Sequence, residues 1–181
     1  MTMLAHSQYA ATALAETNLV DGDEDFSLES AHASYLGALG LVERLHRLQL
    51  DRIKDEFESL GRGDINSVQA LLVFNIADEE LTAGELKTRG HYQGSNVSYN
   101  LKKLVEGGFI HQERSATDRR SVRIRLTEKG QEVRRVVAEL HTRHLTEMVS
   151  GDIASLDDLE LLQQSMRRLE NYWRSQIRYI Y

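Results

Sequence analysis

The fold is decided by the stretch Asp118–Gly130, which reads DRRSVRIRLTEKG. Within it Val122, Ile124 and Leu126 alternate with two arginines, and this period of two predicts a strand with one buried and one exposed face. Thr127 follows directly, and threonine is a preferred residue at the position before a helix. The stretch therefore predicts a strand that passes into a helix within a single residue.

The segments before this stretch complete a compact unit. A second strand is predicted at Phe109–Arg114, so the two strands form a hairpin whose tip, Ser115–Arg120, is polar and basic. The pair Gly107-Gly108 ends a helix that opens at Ser95, and Thr82 caps a short helix before it. The predicted order is helix, short turn, helix and two-stranded hairpin.

Long helices flank this unit on both sides. Apolar residues at helical spacing predict one helix from Leu28 to Leu60, which Gly61 ends, and a last helix from Leu156 to about Ile177. A further helix, capped by Asn66 or Ser67, lies between the first helix and the unit. The fold class is thus mainly α with a small β-hairpin.

The charge of the chain is distributed unevenly. The total is −6, and residues 1–30 contain six acidic residues and no lysine or arginine. Residues 85–130 contain ten basic and five acidic residues, a local net charge of 10 − 5 = +5. A basic block of this kind is typical of a surface that meets a polyanion, although clustered charge on a solvated face is the alternative.

The helix from Ser95 has two contrasting faces. At 100° per residue, Val97, Leu101, Leu104 and Val105 share one face. The opposite face is polar and fits a DNA major groove, although an ordinary half-buried surface helix has the same pattern. The residues predicted to contact DNA from it are Ser95, Asn96, Ser98, Tyr99, Lys102 and Lys103.

The hairpin strengthens the DNA interpretation. Four arginines crowd its tip and second strand, and arginine fits both phosphates and a narrow minor groove. Arg119 and Arg120 are predicted to contact DNA, and Asp118 is predicted to stabilise the tip through an ion pair with Arg120. The alternative is an exposed hairpin whose charged side chains are solvated and bind no partner.

With these motifs in place, the sequence resembles the MarR family of bacterial transcription regulators over roughly residues 30–175. The matching motifs are LTAGEL at Leu81–Leu86, SNVS at Ser95–Ser98, and Asp118–Gly130. Gly94–Leu104 is also similar to an alphaproteobacterial branch of the family that includes the LdtR cell-envelope regulator. The resemblance makes the helix that opens at Ser95 the DNA-recognition helix. In the turn before it, Gly90-His91 replaces the family's usual Leu-Gly pair.

The resemblance implies a winged helix-turn-helix protein that binds double-stranded DNA as a homodimer. The operator would be pseudopalindromic, the usual outcome would be repression, and a small aromatic or anionic ligand would act as effector. The expected division is an acidic arm at 1–26, a dimerisation helix at 27–63, a DNA-binding domain at 64–130 and C-terminal dimerisation helices at 131–181.

Dimerisation is also predicted from the last helix. Its apolar stripe contains a methionine and ends in the aromatic residues Tyr172, Tyr179 and Tyr181, and enrichment in such residues is typical of buried interfaces. The alternative is packing against the chain's own first helix. The stripe consists of Leu156, Leu159, Leu162, Met166, Leu169, Trp173 and Ile177.

Histidines within apolar stripes are most often core residues, and His46 is one of them. The functional alternative places His46 with Tyr35 and Phe74 in an effector pocket. His141 and His144 have the spacing of a metal pair, but a third ligand is missing and the chain has no cysteine. We therefore expect no metal and no cofactor.

Other functions find little support in the sequence. Phosphate-loop and nucleophile-elbow motifs are both absent, so an enzyme is not expected. The alternative from another class is a winged-helix protein-interaction module whose acidic arm recruits a partner. Neither a signal peptide nor an apolar run of about 20 residues is visible, so a cytoplasmic protein is expected.

Overall fold

The structure is a computed structural model that describes residues 28–76, 81–82, 84–86, 94–114 and 122–177. Of Gly94, Ser95 and Arg114 it describes the backbone. The predictions for the N-terminal arm, for Gly90-His91 and for the hairpin tip with Asp118, Arg119 and Arg120 lie outside these residues.

Helices and strands follow one another in the predicted order. They are α1 (Leu28–Ser59), α2 (Ser67–Ile76), β1 (Leu81–Thr82), α3 (Gly94–Glu106), β2 (Ile110–Arg114), β3 (Val122–Leu126), α4 (Glu128–Ser150) and α5 (Leu156–Gln176). Residues 84–86 are also helical. The predicted mainly helical fold is confirmed. Most helix ends lie within one residue of the predicted position.

The chain divides into two compact units, Met1–Glu43 and Arg44–Tyr181. In the first unit the described residues belong to α1, and most of its large apolar side chains, among them Tyr35 and Leu36, are exposed. The second unit contains the remainder of α1 and every other described element.

Helix starts are fixed by reciprocal hydrogen bonds between side chains and backbone. The N–H of Gln69 donates to Asn66 Oδ1 (2.9 Å) and the N–H of Asn66 to Gln69 Oε1 (3.3 Å). Thr82 and Glu85 exchange the same pair of bonds, and so do Ser155 and Asp158. Such capping boxes satisfy N–H groups that have no partner within the helix, so these residues fix the helix starts.

The sheet has three strands in the order β1-β3-β2, whereas the sequence predicted a two-stranded hairpin. Leu81 pairs with Ile124 and Thr82 with Arg123 in an antiparallel register. β1 has only two residues, too few for alternation to appear, and Thr82 also caps the following helical segment. The predicted hairpin is confirmed by β2 and β3, and within the described residues β1 adds a third strand that the sequence did not predict.

A single core joins the sheet to the helices of the second unit. Its members come from the end of α1, from α2, α3 and α4, and from the strands. The apolar stripe of α1 is buried only near its end, at Ile53 and Phe57. His46 is exposed on α1 and is not a core residue in this chain. Val105 was predicted on the buried face of α3 but is 38% exposed.

The start of α4 is tied to the start of β2 at one junction. Thr127 Oγ1 donates to the carbonyls of Gly108 (2.7 Å) and Phe109 (3.0 Å) and accepts the N–H of Gly130 (3.1 Å). The N–H of Thr127 also donates to the Phe109 carbonyl (3.0 Å). A Cβ atom at Gly130 would overlap that carbonyl oxygen. Glycine is therefore required there by the close approach of two backbones.

Gly130→Ala should lower the free energy of unfolding by about 1–3 kcal/mol, because the added methyl forces β2 and α4 apart. Thermal denaturation would show a Tm lower by about 2–4 °C for each kcal/mol. Gly63→Ala is the matched control, since a Cβ there meets nothing within 4 Å. Equal Tm values for the two variants would contradict the role assigned to Gly130.

Candidate DNA interface

Helix α3 is held by its apolar face and presents its polar face outward. Val97, Leu101 and Leu104 are buried in the core. Asn96, Ser98, Tyr99, Lys102 and Lys103 are exposed, and Tyr99 is 61% exposed despite its aromatic ring. Ser95 lies in the first turn of the helix. The structure thus brings the predicted recognition residues together on one helix.

Glu106, the last residue of α3, places a carboxylate beside the lysines of this face. Glu106 Oε2 lies 2.8 Å from Lys103 Nζ, and Glu106 Oε1 lies 3.9 Å from Lys102 Nζ. The hydrogen bond from Lys103 lowers the pKa of Glu106, and the same bond raises the pKa of Lys103. The carboxylate of Glu106 therefore contacts both lysines of this face.

The outer face of the sheet carries a second set of charges. Arg123 and Arg125 are exposed on β3, on either side of the buried Ile124. Arg125 Nη2 donates to Glu113 Oε1 on β2 (3.0 Å), and His111 Nε2 lies 2.7 Å from the same oxygen. The sequence analysis missed His111 and Glu113. Their spacing of two residues on a strand paired with the arginines was the signal that could have found them.

Lys129 supports α3 from behind the interface. Its Nζ donates to the carbonyl of Gly107 (3.1 Å), directly after α3, and forms an ion pair with Asp64 (2.9 Å). It also lies 4.1 Å from the centre of the Phe109 ring. The hydrogen bond from Lys129 lowers the pKa of Asp64. These contacts connect the loop after α1 with the end of the recognition helix.

A cavity of about 350 Å³ lies between α1 and α4 within the second unit. Its lining is mainly apolar but includes Arg52, His141 and His144. Nε2 of His141 is buried and has no hydrogen-bond partner among the residues that the structure describes. Burial lowers the pKa of His141, and neighbouring His144 lowers it further, so the neutral ring is favoured. The cavity therefore combines apolar walls with a cation and an unpaired imidazole.

The lining of this cavity does not include the predicted pocket residues Tyr35, His46 and Phe74, and their role stays a prediction. The ring of Phe74 packs edge-on against His141, with centroids 5.0 Å apart, but Phe74 is not among the residues that line the cavity. His46 is exposed on α1, and Tyr35 lies in the first unit. Phe74 thus contacts one residue of the cavity lining.

Among the residues that the structure describes, no group of three or more His, Asp or Glu side chains is arranged to hold a metal ion. No helix within the described ranges combines the length and apolar character needed to cross a membrane.

Solved structures share this fold. A MarR transcriptional regulator from Methanosarcina mazei Go1 has a TM-score of 0.62 at 21% identity, with 78% of this chain and 98% of that chain covered. A mutant MarR from E. coli in complex with operator DNA has a TM-score of 0.60 at 17% identity, covering 75% and 95% of the two chains.

Sequence comparisons give closer relationships. A family model described as a winged helix DNA-binding domain matches residues 65–130. The exopolysaccharide II synthesis transcriptional activator ExpG of Rhizobium meliloti (strain 1021) is 36% identical over 164 residues, which cover 91% of this chain and 82% of ExpG. The chain belongs to the MarR family of winged-helix transcription regulators.

Membership in the MarR family confirms the resemblance found in the sequence. The match of the family model coincides with the unit formed by α2, α3 and the sheet, and it ends at Gly130. The roles of individual side chains and the narrower similarity to the LdtR branch stay predictions.

Proposed function

We propose that this MarR-family protein regulates transcription by reading a specific DNA sequence with α3 and the wing formed by β2 and β3. The observation that carries the proposal is the exposure of polar and cationic side chains on both elements of one winged-helix unit with a shared core. An α-helix fits the B-DNA major groove, and cationic strands beside it meet the phosphates.

The side chains suggest separate roles at such an interface. Ser95, Asn96 and Tyr99 would read base edges, and asparagine suits this role because it pairs with adenine through two hydrogen bonds. Lys102 and Lys103 would contact the DNA phosphates, and Ser98 is exposed on the same helix. In the wing, Arg119 and Arg120 would contact phosphates or the minor groove, with Asp118 fixing the tip.

Two alanine variants separate base reading from electrostatic attraction. Asn96→Ala should lose sequence preference, with a penalty of about 1–3 kcal/mol on the cognate duplex only, whereas Lys102→Ala should weaken binding to all duplexes alike. Gel shifts with cognate and scrambled promoter DNA measure both effects.

Lys54→Ala is the control for Lys102→Ala, because Lys54 is an exposed lysine on α1 that forms an ion pair with Glu58. If neither Asn96→Ala nor Lys102→Ala differs from this control, the assigned docking is wrong. A protein that binds no duplex at all would instead favour a protein-interaction module.

The protein is proposed to act as a homodimer, with 27–63 and 131–181 as dimerisation segments and 64–130 as the DNA-binding domain. None of the residues of α5, all of which the structure describes, is buried. Its stripe includes Leu162, Met166 and Trp173, and each of these is more than 40% exposed. A continuous apolar face of this length marks an interaction site, and a second copy is the partner that the family suggests.

Trp173→Glu should convert the dimer into a monomer, because a charge would be buried in the apolar interface. Sedimentation equilibrium measures the change in mass. Gln164→Glu places the same charge on the opposite side of α5 and should leave the dimer intact. A monomeric wild type, or a dimeric Trp173→Glu variant, would contradict this arrangement.

The cavity between α1 and α4 supports the proposed response to a small aromatic or anionic effector. Its apolar walls suit a ring, and Arg52 with the two histidines suits a carboxylate. The cavity lies between α4 and α1, and α1 leads into the DNA-binding domain. A ligand there would therefore change the separation of the two α3 helices of the proposed dimer. These helices must match half-sites about 34 Å apart.

Benzoate is the probe for this response. It should raise the Tm of the wild type and weaken DNA binding, and Arg52→Gln should reduce both effects. Benzyl alcohol has the ring without the charge and serves as the control ligand. Equal responses of the wild type and Arg52→Gln to benzoate would remove Arg52 from the proposed site.

The direction of regulation depends on where the operator lies relative to the promoter. The family resemblance suggests repression, whereas the similar protein ExpG is named an activator. Promoters of exopolysaccharide genes are the first candidate targets, because ExpG is named for exopolysaccharide II synthesis. A reporter fusion with and without this protein determines the direction.

A further inference from the structure

Four of the five acidic residues in the basic block 85–130 fall into two groups, and the fifth, Asp118, lies outside the described residues. Glu85 accepts the N–H of Thr82 (2.7 Å), and Glu128 lies in the first turn of α4. Both positions are favourable for a carboxylate, because the N-terminal end of a helix has a partial positive charge. Glu106 and Glu113 occupy no such position, so another interaction accounts for their placement.

Glu106 is the last residue of α3, where the helix dipole disfavours a negative charge. Its contacts are nevertheless specific, since its two oxygens reach Lys103 (2.8 Å) and Lys102 (3.9 Å). Both lysines belong to the face that is proposed to meet DNA. The carboxylate therefore occupies cations that a phosphate would otherwise contact.

Glu113 on β2 contacts an arginine of the wing, as Glu106 contacts the lysines of α3. Its Oε1 accepts from Arg125 (3.0 Å) on the neighbouring strand and lies 2.7 Å from His111 Nε2. All three side chains are exposed. The carboxylate of Glu113 on β2 thus binds Arg125 on the neighbouring β3, at the distance at which a DNA phosphate would bind the same arginine.

We propose that Glu106 and Glu113 are built-in competitors of the DNA phosphates. In the free protein their carboxylates bind Lys103 and Arg125, and they thereby weaken the binding of the protein to every duplex. The inference rests on the proposed DNA-binding function of α3 and the wing. It adds that affinity is limited by ion pairs that have to be exchanged when DNA binds, so the protein dissociates more readily from nonspecific sequences.

The expected size of the effect follows from the exposure of these pairs. Exposed ion pairs are weak, so removal of one carboxylate should raise affinity about two- to five-fold for each protomer that contacts the duplex. The released cation can neutralise one more phosphate, so the log–log dependence of affinity on salt should steepen by up to about 0.9 per site.

The test uses the full-length protein with Glu106→Gln, Glu113→Gln and the control Glu160→Gln. Glu160 is exposed on α5, so its replacement makes the same change in net charge away from the interface. Binding to cognate and scrambled duplexes is measured by fluorescence anisotropy at several salt concentrations. Thermal denaturation checks that each variant is folded.

Double variants test whether the competition acts through the assigned partners. The gain from Glu113→Gln should largely disappear in an Arg125→Gln background, and that from Glu106→Gln in a Lys103→Gln background. If the gains persist undiminished, the effect is one of general charge and the pairwise assignment is wrong.

A purely structural role predicts the opposite sign. Cross-strand pairs of opposite charge stabilise a sheet, so Glu113→Gln would then loosen the wing and weaken binding. Variants that bind no more tightly than Glu160→Gln, while the wild type binds, would overturn this inference alone. A wild type that binds no duplex would overturn the proposed function as well.

Discussion

The structure depends on the contact between two backbones at Gly130 and Phe109. Thr127 joins the carbonyls of Gly108 and Phe109 to the N–H of Gly130, so the end of β3, the start of β2 and the first turn of α4 are held at one point. Lys129, in the same turn, extends this junction to the end of α3 and to Asp64. The position of the recognition helix relative to the wing therefore follows from a short motif at the start of α4.

Helical and strand periodicity determine which side chains form the surface that is proposed to face DNA. Val97, Leu101 and Leu104 anchor α3 in the core, so the polar residues between them have to face outward. The alternation on β3 exposes Arg123 and Arg125 in the same way. The acidic total of the chain does not oppose DNA binding, because the negative charge is concentrated outside this block, above all in residues 1–30.

Periodicity and capping predicted the elements well, since both are local properties. The faces of α3 and the helix starts at Glu128 and Ser67 follow from them. β1 was missed because two residues show no period, and Val105 was misplaced because it lies at the edge of the apolar face. The contacts of Glu106 and Glu113 depend on side-chain conformation and strand register, which a local pattern does not specify. The exposure of His46 depends on what packs against α1, which is also outside the reach of a local pattern.

The central claim is that α3 and the wing bind DNA largely through their cations. The most direct measurement is the affinity of the wild-type protein for its promoter duplex between 50 and 200 mM salt. The account predicts a log–log slope steeper than about −3, corresponding to four or more phosphates at about −0.9 each. A slope shallower than about −1, or no binding at low salt, would contradict it.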